Sequence, residues 1–286
     1  MSDTECIAFL QWALPKLNLR WAGFRKVHRQ VCKRLKRRMS DLHIADLTAY
    51  RARLEADPAE WRALDECCHV TISRFFREKR VFEVLRTCVL PEIAARAGRE
   101  GRPACMWSAG CASGEEPFTL KILWDLEVMN SRPGGVPLSI IATDADAAML
   151  ARARKACFAA SSLRELPPPL IEQAFDRTGP RYCVKPQYRD GIGFLHQDLR
   201  SDTPAGPFDL ILCRYAAFTY FAPLLQKQVL LRFLELLLPD GYLAIGGDEQ
   251  LPVDCAALVP LARAPQIFKK ERMPSKAGRA QIKIPF

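Results

Sequence analysis

No apolar stretch in this sequence approaches the roughly 18–20 residues that a membrane-spanning helix needs, so a spanning chain is not expected. The amino-terminal MSDTECIAFLQWALPK opens acidic and its apolar run is short, unlike a secretory leader. Eleven cysteines are present, yet no two stand in Cys-x-x-Cys spacing and none joins a histidine at zinc-ligand spacing. That excludes the common structural zinc modules and leaves free thiols in a reducing cytoplasm as the expected state, most of them packed as small apolar groups. The adjacent Cys67 and Cys68 are expected to pack in the same way rather than to form a redox pair. Histidines number four, His28, His43, His69 and His196, and they are scattered. The chain also lacks G-x-G-x-x-G, a phosphate-binding lysine loop, internal repeats and low-complexity tracts.

What is present begins with charge. The net charge is +10, and residues 1–80 hold seventeen Lys and Arg against ten Asp and Glu. The dense part is RKVHRQVCKRLKRR, Arg25–Arg38. Val27, Val31, Leu35 and Met39 recur at i+4 through it, giving one apolar stripe on a helix whose other faces are basic. Such a face is either simply solvated or attracts an acidic partner.

From Trp12 to about Ala97 the pattern is helical, with a break at EADPAEW, where Pro58 suits the first turn of a new helix. The cluster GREGRP, Gly98–Pro103, reads as a linker between a basic helical domain (1–97) and a second domain (104–286). Beyond it, the strands ACMWSA, LSIIATD, IGFLHQD, FDLILCR and YLAIGG alternate with helical segments. The tail from about Leu258 is read as an antiparallel pair ending in AQIKIPF. Continuous apolar strands between helices predict an α/β fold, a mostly parallel sheet covered on both faces, with ligands at the carboxyl ends of its strands.

The segment WSAGCASGEEP, residues 107–117, joins the first strand to a helix through Gly110 and Gly114. Glu115 and Glu116 occupy the helix's first turn, where they consume its positive end and repel a pyrophosphate. Asp144 then ends the second strand, placed to accept from both hydroxyls of a ribose, and Asp198 ends the third, placed to accept from an adenine amino group. Strand-end acids around a glycine turn suit a nucleoside that carries positive charge and no phosphate. S-adenosylmethionine is such a ligand, with Glu115 facing its ammonium.

ISRFFREKRVFEVL, WSAGCASGEEPFTL, ATDADAAML, FDLILCR and LPDGYLAIGGDEQL resemble the successive motifs of the CheR-type methyltransferases, in order, from about Gly23 to Leu251. The resemblance implies a Rossmann-like class I methyltransferase domain, mostly parallel with an antiparallel last strand, preceded by a small all-helical domain. It implies S-adenosyl-L-methionine as cofactor and glutamate side chains of chemoreceptors as acceptors. By similarity, Arg77 reaches from the helical domain to cofactor and acceptor, with Ser73 beside it on one helix face and Thr71 nearby. Gly110, Glu115 and Asp144 serve the methionine and ribose parts, while Asp198 and Leu199 frame the adenine. Arg214 and Tyr215 lie beside the cofactor, and Tyr220 donates a hydrogen bond near the acceptor. The implied partner is an acidic, chemoreceptor-like protein met by the basic helix, and the implied enzyme is a cytoplasmic monomer.

Departures touch the acceptor side. The family's asparagine in T-N-x-T-x-F-F-R-E is Thr71 here, and C-R-N-x-x-I-Y-F becomes CRYAAFTYF, with Tyr215 for asparagine. Between Arg164 and Phe194 there is room for about one hairpin. A glutamate acceptor, with an ordinary pKa of ~4.3, is already ionised and needs no general base, which suits a sequence with no obvious one. Two other readings are a methyltransferase acting on nucleic acid or a small molecule, and a silent S-adenosylmethionine-binding module. The chain lacks the Asn/Asp-Pro-Pro-aromatic and Pro-Cys elements of nucleobase methylation, so nucleic acid is not the expected substrate.

Overall fold

Apolar strands such as FDLILC have no wet face, so they must sit inside a sheet with cover on both sides. The computed structural model, which describes residues 1–129 and 135–272, builds that sheet from seven strands. They are β1 (Ala104–Ala109), β2 (Leu138–Asp144), β6 (Ile192–His196), β7 (Phe208–Cys213), β8 (Leu237–Ile245), β9 (Leu258–Leu261) and β10 (Ala264–Lys270), in the order β6-β2-β1-β7-β8-β10-β9. Neighbours from β6 to β8 run parallel, and β10 is antiparallel to both β8 and β9. Met106 of β1 stands level with Ile140 of β2 and Leu210 of β7, all buried. The chain steps outward from β1 to β2 and β6, then returns to lay β7 on the other side of β1. That reversal opens a crevice at the carboxyl ends of β1 and β7. The tail thus forms the antiparallel pair expected of it, while AQIKIPF lies outside the described residues.

The Arg164–Phe194 region supplies one hairpin, as its length allows, and a strand from just before it extends the pair. β4 (Phe175–Thr178) and β5 (Arg181–Val184) pair, and β3 (Cys157–Ala159) adds to β5, making a separate three-stranded antiparallel sheet. The Phe75 ring meets Phe158 and Phe175 edge-on at 4.8 and 5.1 Å, seating this small sheet against the FFRE segment.

Five α-helices precede residue 69: α1 (Asp3–Ala13), α2 (Trp21–Phe24), α3 (His28–Asp41), α4 (Leu47–Ala56) and α5 (Pro58–Cys68), the last starting on Pro58 as anticipated. They close around their own core, in which Val31, Leu35 and Met39 of α3 are buried beside Leu10, Phe24 and Tyr50. Within the basic run, Arg38 is structural. Its guanidinium donates to the buried Glu60 at 2.9 and 2.7 Å, and Tyr50 donates to the same carboxylate. Phe75, Phe76, α6 (Lys79–Val84) and α7 (Leu90–Arg99) instead join the core of the large sheet. The apolar core therefore divides before Phe75 rather than at Gly98–Pro103, because α7 buries its apolar face against the sheet.

Cysteine use differs from the all-thiol expectation. Cys6 and Cys32 are bonded between α1 and α3, and Cys157 and Cys183 are bonded across β3 and β5. In each case the fold brings together residues that are 26 positions apart. The remaining seven, Cys67 and Cys68 among them, are free.

Candidate active site

At the carboxyl end of β1 the chain turns through Gly110 (φ +83°) and Gly114 (φ +91°) into α8 (Glu115–Leu123). The N–H groups of Gly110 and Cys111 both donate to the Thr143 carbonyl, pinning the turn over β2. A Cβ at Gly110 would lie 2.9 Å from the Ala216 Cβ, so glycine is needed for the turn and for the close approach of the β7 loop. Beside this turn lies a cleft of about 680 Å3 between the helical domain and the strand ends. That volume is within the ~300–1,000 Å3 usual for small-molecule sites.

The cleft collects most of the residues singled out from the sequence. Thr71, Ser73, Arg77, Gly110 and Asp144 line it, as do Asp198, Leu199, Arg214, Tyr215 and Tyr220. Glu115 does not. It is 3% exposed, and its carboxylate accepts from the Ser113 hydroxyl at 3.0 and 2.8 Å. Glu116 lines the cleft in its place, accepting from Ser108 at 2.7 Å and pairing with Arg214 at 3.0 Å. Of the four histidines, His69 alone reaches the cleft, while His196 bonds the Ala145 carbonyl.

Charge in the cleft is largely compensated from within the chain. The Asp198 carboxylate is held by Arg200, which also pairs with Asp65 of α5 and so ties the helical domain to the end of β6. Burial alone would raise the Asp65 pKa, but hydrogen bonds from His69 and Arg200 hold it down to about 2. Asp144 differs. Its carboxylate accepts from the backbone N–H groups of Ala112 and Asp146 at 2.8 and 2.9 Å, and among the described residues no Lys or Arg pairs with it. Burial pushes its pKa up. The anionic surround suggested by the sequence is thus reduced, among the described residues, to Asp144 and Glu249 as lining carboxylates bonded only to backbone N–H and hydroxyl donors, beside the arginine-paired Glu116.

The FFRE segment is not helical, so Ser73 and Arg77 share no helix face. Residues 69–74 carry no regular structure, and Phe76 (φ +57°) and Glu78 (φ +62°) are left-handed on either side of Arg77. Such backbone is strained for these residue types and persists only where its surroundings dictate it. Here the Phe76 N–H donates to Thr119 of α8, and Phe76 stacks on Phe82 at 5.3 Å. Glu78 accepts from Arg214 at 2.7 Å, Tyr215 at 2.5 Å and the Gly247 N–H at 2.8 Å. Burial would raise its pKa, but these donors bring it below the ordinary range. Arg214 additionally donates to the Arg77 carbonyl at 2.6 Å. The Arg77 side chain, so mounted, donates to the Ile72 carbonyl at 2.5 Å and lies over the Tyr215 ring, 4.0 Å from its centroid.

The far wall is α12 (Ala217–Tyr220), which meets the 18–24 segment of the helical domain. The Arg20 N–H donates to the Tyr220 carbonyl at 2.8 Å, and its guanidinium donates to the Thr219 and Phe218 carbonyls at 3.0 and 2.6 Å. Tyr220 packs on Phe24 at 5.0 Å, and burial raises its phenol. Glu249, not anticipated from the sequence, accepts from Thr219 and from the N–H groups of Tyr215 and Gly246, bracing the β7 loop from behind. Nothing in its local sequence marks that role.

Three relatives frame this site. The chain is 33% identical over 221 residues to the "Uncharacterized 104.1 kDa protein in hypE 3'region" of Rhodobacter capsulatus, covering 77% of this chain and 23% of that one. It is 35% identical over 181 residues to "Chemotaxis protein methyltransferase 1" of Pseudomonas aeruginosa, covering 62% and 65%. The "Chemotaxis protein methyltransferase" of Salmonella typhimurium is 33% identical over 227 residues, covering 77% and 75%. The match therefore spans less than two thirds of the first two relatives. The profile described as "CheR methyltransferase, SAM binding domain" matches residues 71–264, a stretch that starts at the FFRE approach and ends in β10. By that match and by the cleft it encloses, the chain belongs to the CheR methyltransferase family.

Proposed function

We propose that this chain transfers a methyl group from S-adenosyl-L-methionine to glutamate side-chain carboxylates of an acidic, chemoreceptor-like protein in the cytoplasm. The observation that carries the reading is one cleft presenting an unneutralised Asp144 and a rigidly mounted Arg77. The residues present fit the cofactor. Asp144 retains acceptor capacity for ribose hydroxyls after its two backbone bonds. The glycine turn leaves backbone exposed along the cleft, and Glu116 offers an acidic contact for an ammonium. Asp198 keeps part of its carboxylate exposed despite Arg200, beside the apolar Leu199.

When bound, the cofactor supplies an electrophilic methyl group on sulfur. The protein contributes position. Arg77 holds and orients the incoming carboxylate, and Tyr220 donates to it from α12. Fixing the two reactants and stripping water from the carboxylate supply the acceleration, and no proton has to be moved. On α3, Arg34 and Arg38 are used internally, but Lys33, Lys36 and Arg37 stay exposed and form the surface that meets the acidic partner. Incubation with methyl-labelled cofactor and candidate receptors, followed by base treatment, tests the reading. Release of labelled methanol supports it. Base-stable label assigns a non-carboxylate acceptor, and cofactor binding without label assigns a sensor.

A further inference from the structure

We infer that Tyr215 is a positioning residue for Arg77, clamping the guanidinium face-on before an acceptor carboxylate arrives. The inference rests on the methyl-transfer reading for its purpose, but its geometry stands apart from it. The Arg77 guanidinium carbon lies 4.0 Å from the Tyr215 ring centroid. The ring is itself fixed at both ends. Its hydroxyl donates to Glu78 at 2.5 Å, and its backbone N–H donates to Glu249 at 2.9 Å. Glu78 also accepts from Arg214, which donates to the Arg77 carbonyl, so one carboxylate links the group holding the arginine's backbone to the ring that covers its tip.

Tyr215 occupies the left-handed region, φ +54°, where asparagine or glycine sits with little strain and a tyrosine does not. Asparagine is also what the resembling C-R-N segment carries there. A bulky aromatic held in strained backbone indicates a task that asparagine cannot perform, and covering a guanidinium is such a task. Stacking uses the face of the guanidinium, and the Ile72 carbonyl takes one N–H from its edge. Most of the in-plane donors stay available to grip a carboxylate.

The test compares Tyr215→Asn and Tyr215→Phe with wild type. In Tyr215→Asn we expect kcat at saturating cofactor to fall about tenfold. Tyr215→Phe keeps the ring and should restore most of the lost kcat. Side-chain NMR of Arg77 gives a readout independent of turnover. Its Nε–Hε resonance should be displaced by the ring current in wild type and Tyr215→Phe, and return toward a solvent-exposed position in Tyr215→Asn. An unchanged resonance in Tyr215→Asn, wild-type kcat in that variant, or equal kcat losses in both variants overturns the clamp. If the resonance responds as expected but wild type methylates no carboxylate, the clamp holds and the glutamate reading falls.

Discussion

Gly23 of α2 and Thr219 of α12 approach so closely that a Cβ on Gly23 would lie 2.2 Å from the Thr219 carbonyl oxygen. The helical domain docks on the cleft wall at this point, where only a bare Cα fits. Gly23→Ala has to push the two segments apart. Overpacking of this kind costs about 2 kcal/mol, read as a lowered urea midpoint. Because the same contact positions Tyr220, turnover should fall with it, and a variant with wild-type midpoint and rate would show that the docking has slack.

Arg77→Ala separates binding from chemistry. The side chain touches the cleft through its guanidinium, while its backbone is held by Arg214 and by neighbours that the substitution leaves in place. Transfer should drop by at least about a hundredfold, with S-adenosylhomocysteine still giving heat in calorimetry. Wild-type turnover in that variant removes Arg77 from the mechanism.

Asp144→Ala acts on the cofactor instead. Hydrogen bonds to a carboxylate are worth about 1.5–3 kcal/mol each, so S-adenosylhomocysteine affinity should fall by ten- to a hundredfold or so. The Ala112 and Asp146 N–H groups also lose their acceptor, and the melting temperature should drop as well. Unchanged affinity would place the ribose elsewhere.

Asp65→Asn probes the tie between helical domain and sheet. The folded-state pKa of Asp65 is about 2, below its ordinary 3.8, so the stabilisation is fully present above about pH 4 and is lost as pH falls toward 2. The shift corresponds to about 2 kcal/mol. Chemical denaturation should show Asp65→Asn destabilised by that order at pH 7, with the gap to wild type narrowing below pH 4. A gap independent of pH would mean that the ion pair with Arg200 contributes nothing.

The parallel sheet was legible because strands buried on both faces leave an unbroken apolar signature, as in FDLILC. The tail pair and the start of α5 at Pro58 were legible for similarly local reasons. FFRE was not. Its two phenylalanines look helical, but the left-handed residue Glu78 is held by Arg214 and Tyr215, more than a hundred residues away, and Phe76 by Thr119 of α8. Likewise the acids were counted without their partners. Ser113 hides Glu115, and Arg200 covers Asp198 while also pairing with Asp65 of the helical domain. The cysteine bonds were invisible for the same reason, since neither pair is close in sequence.

The five amino-terminal helices bury their own apolar residues and meet the rest of the molecule largely through the short 18–24 stretch and the Arg200 tie. Their outward basic side chains support neither core. On the proposed reading this exterior is where the partner is met, so exchanging its charges should alter partner choice while the cleft residues keep their arrangement.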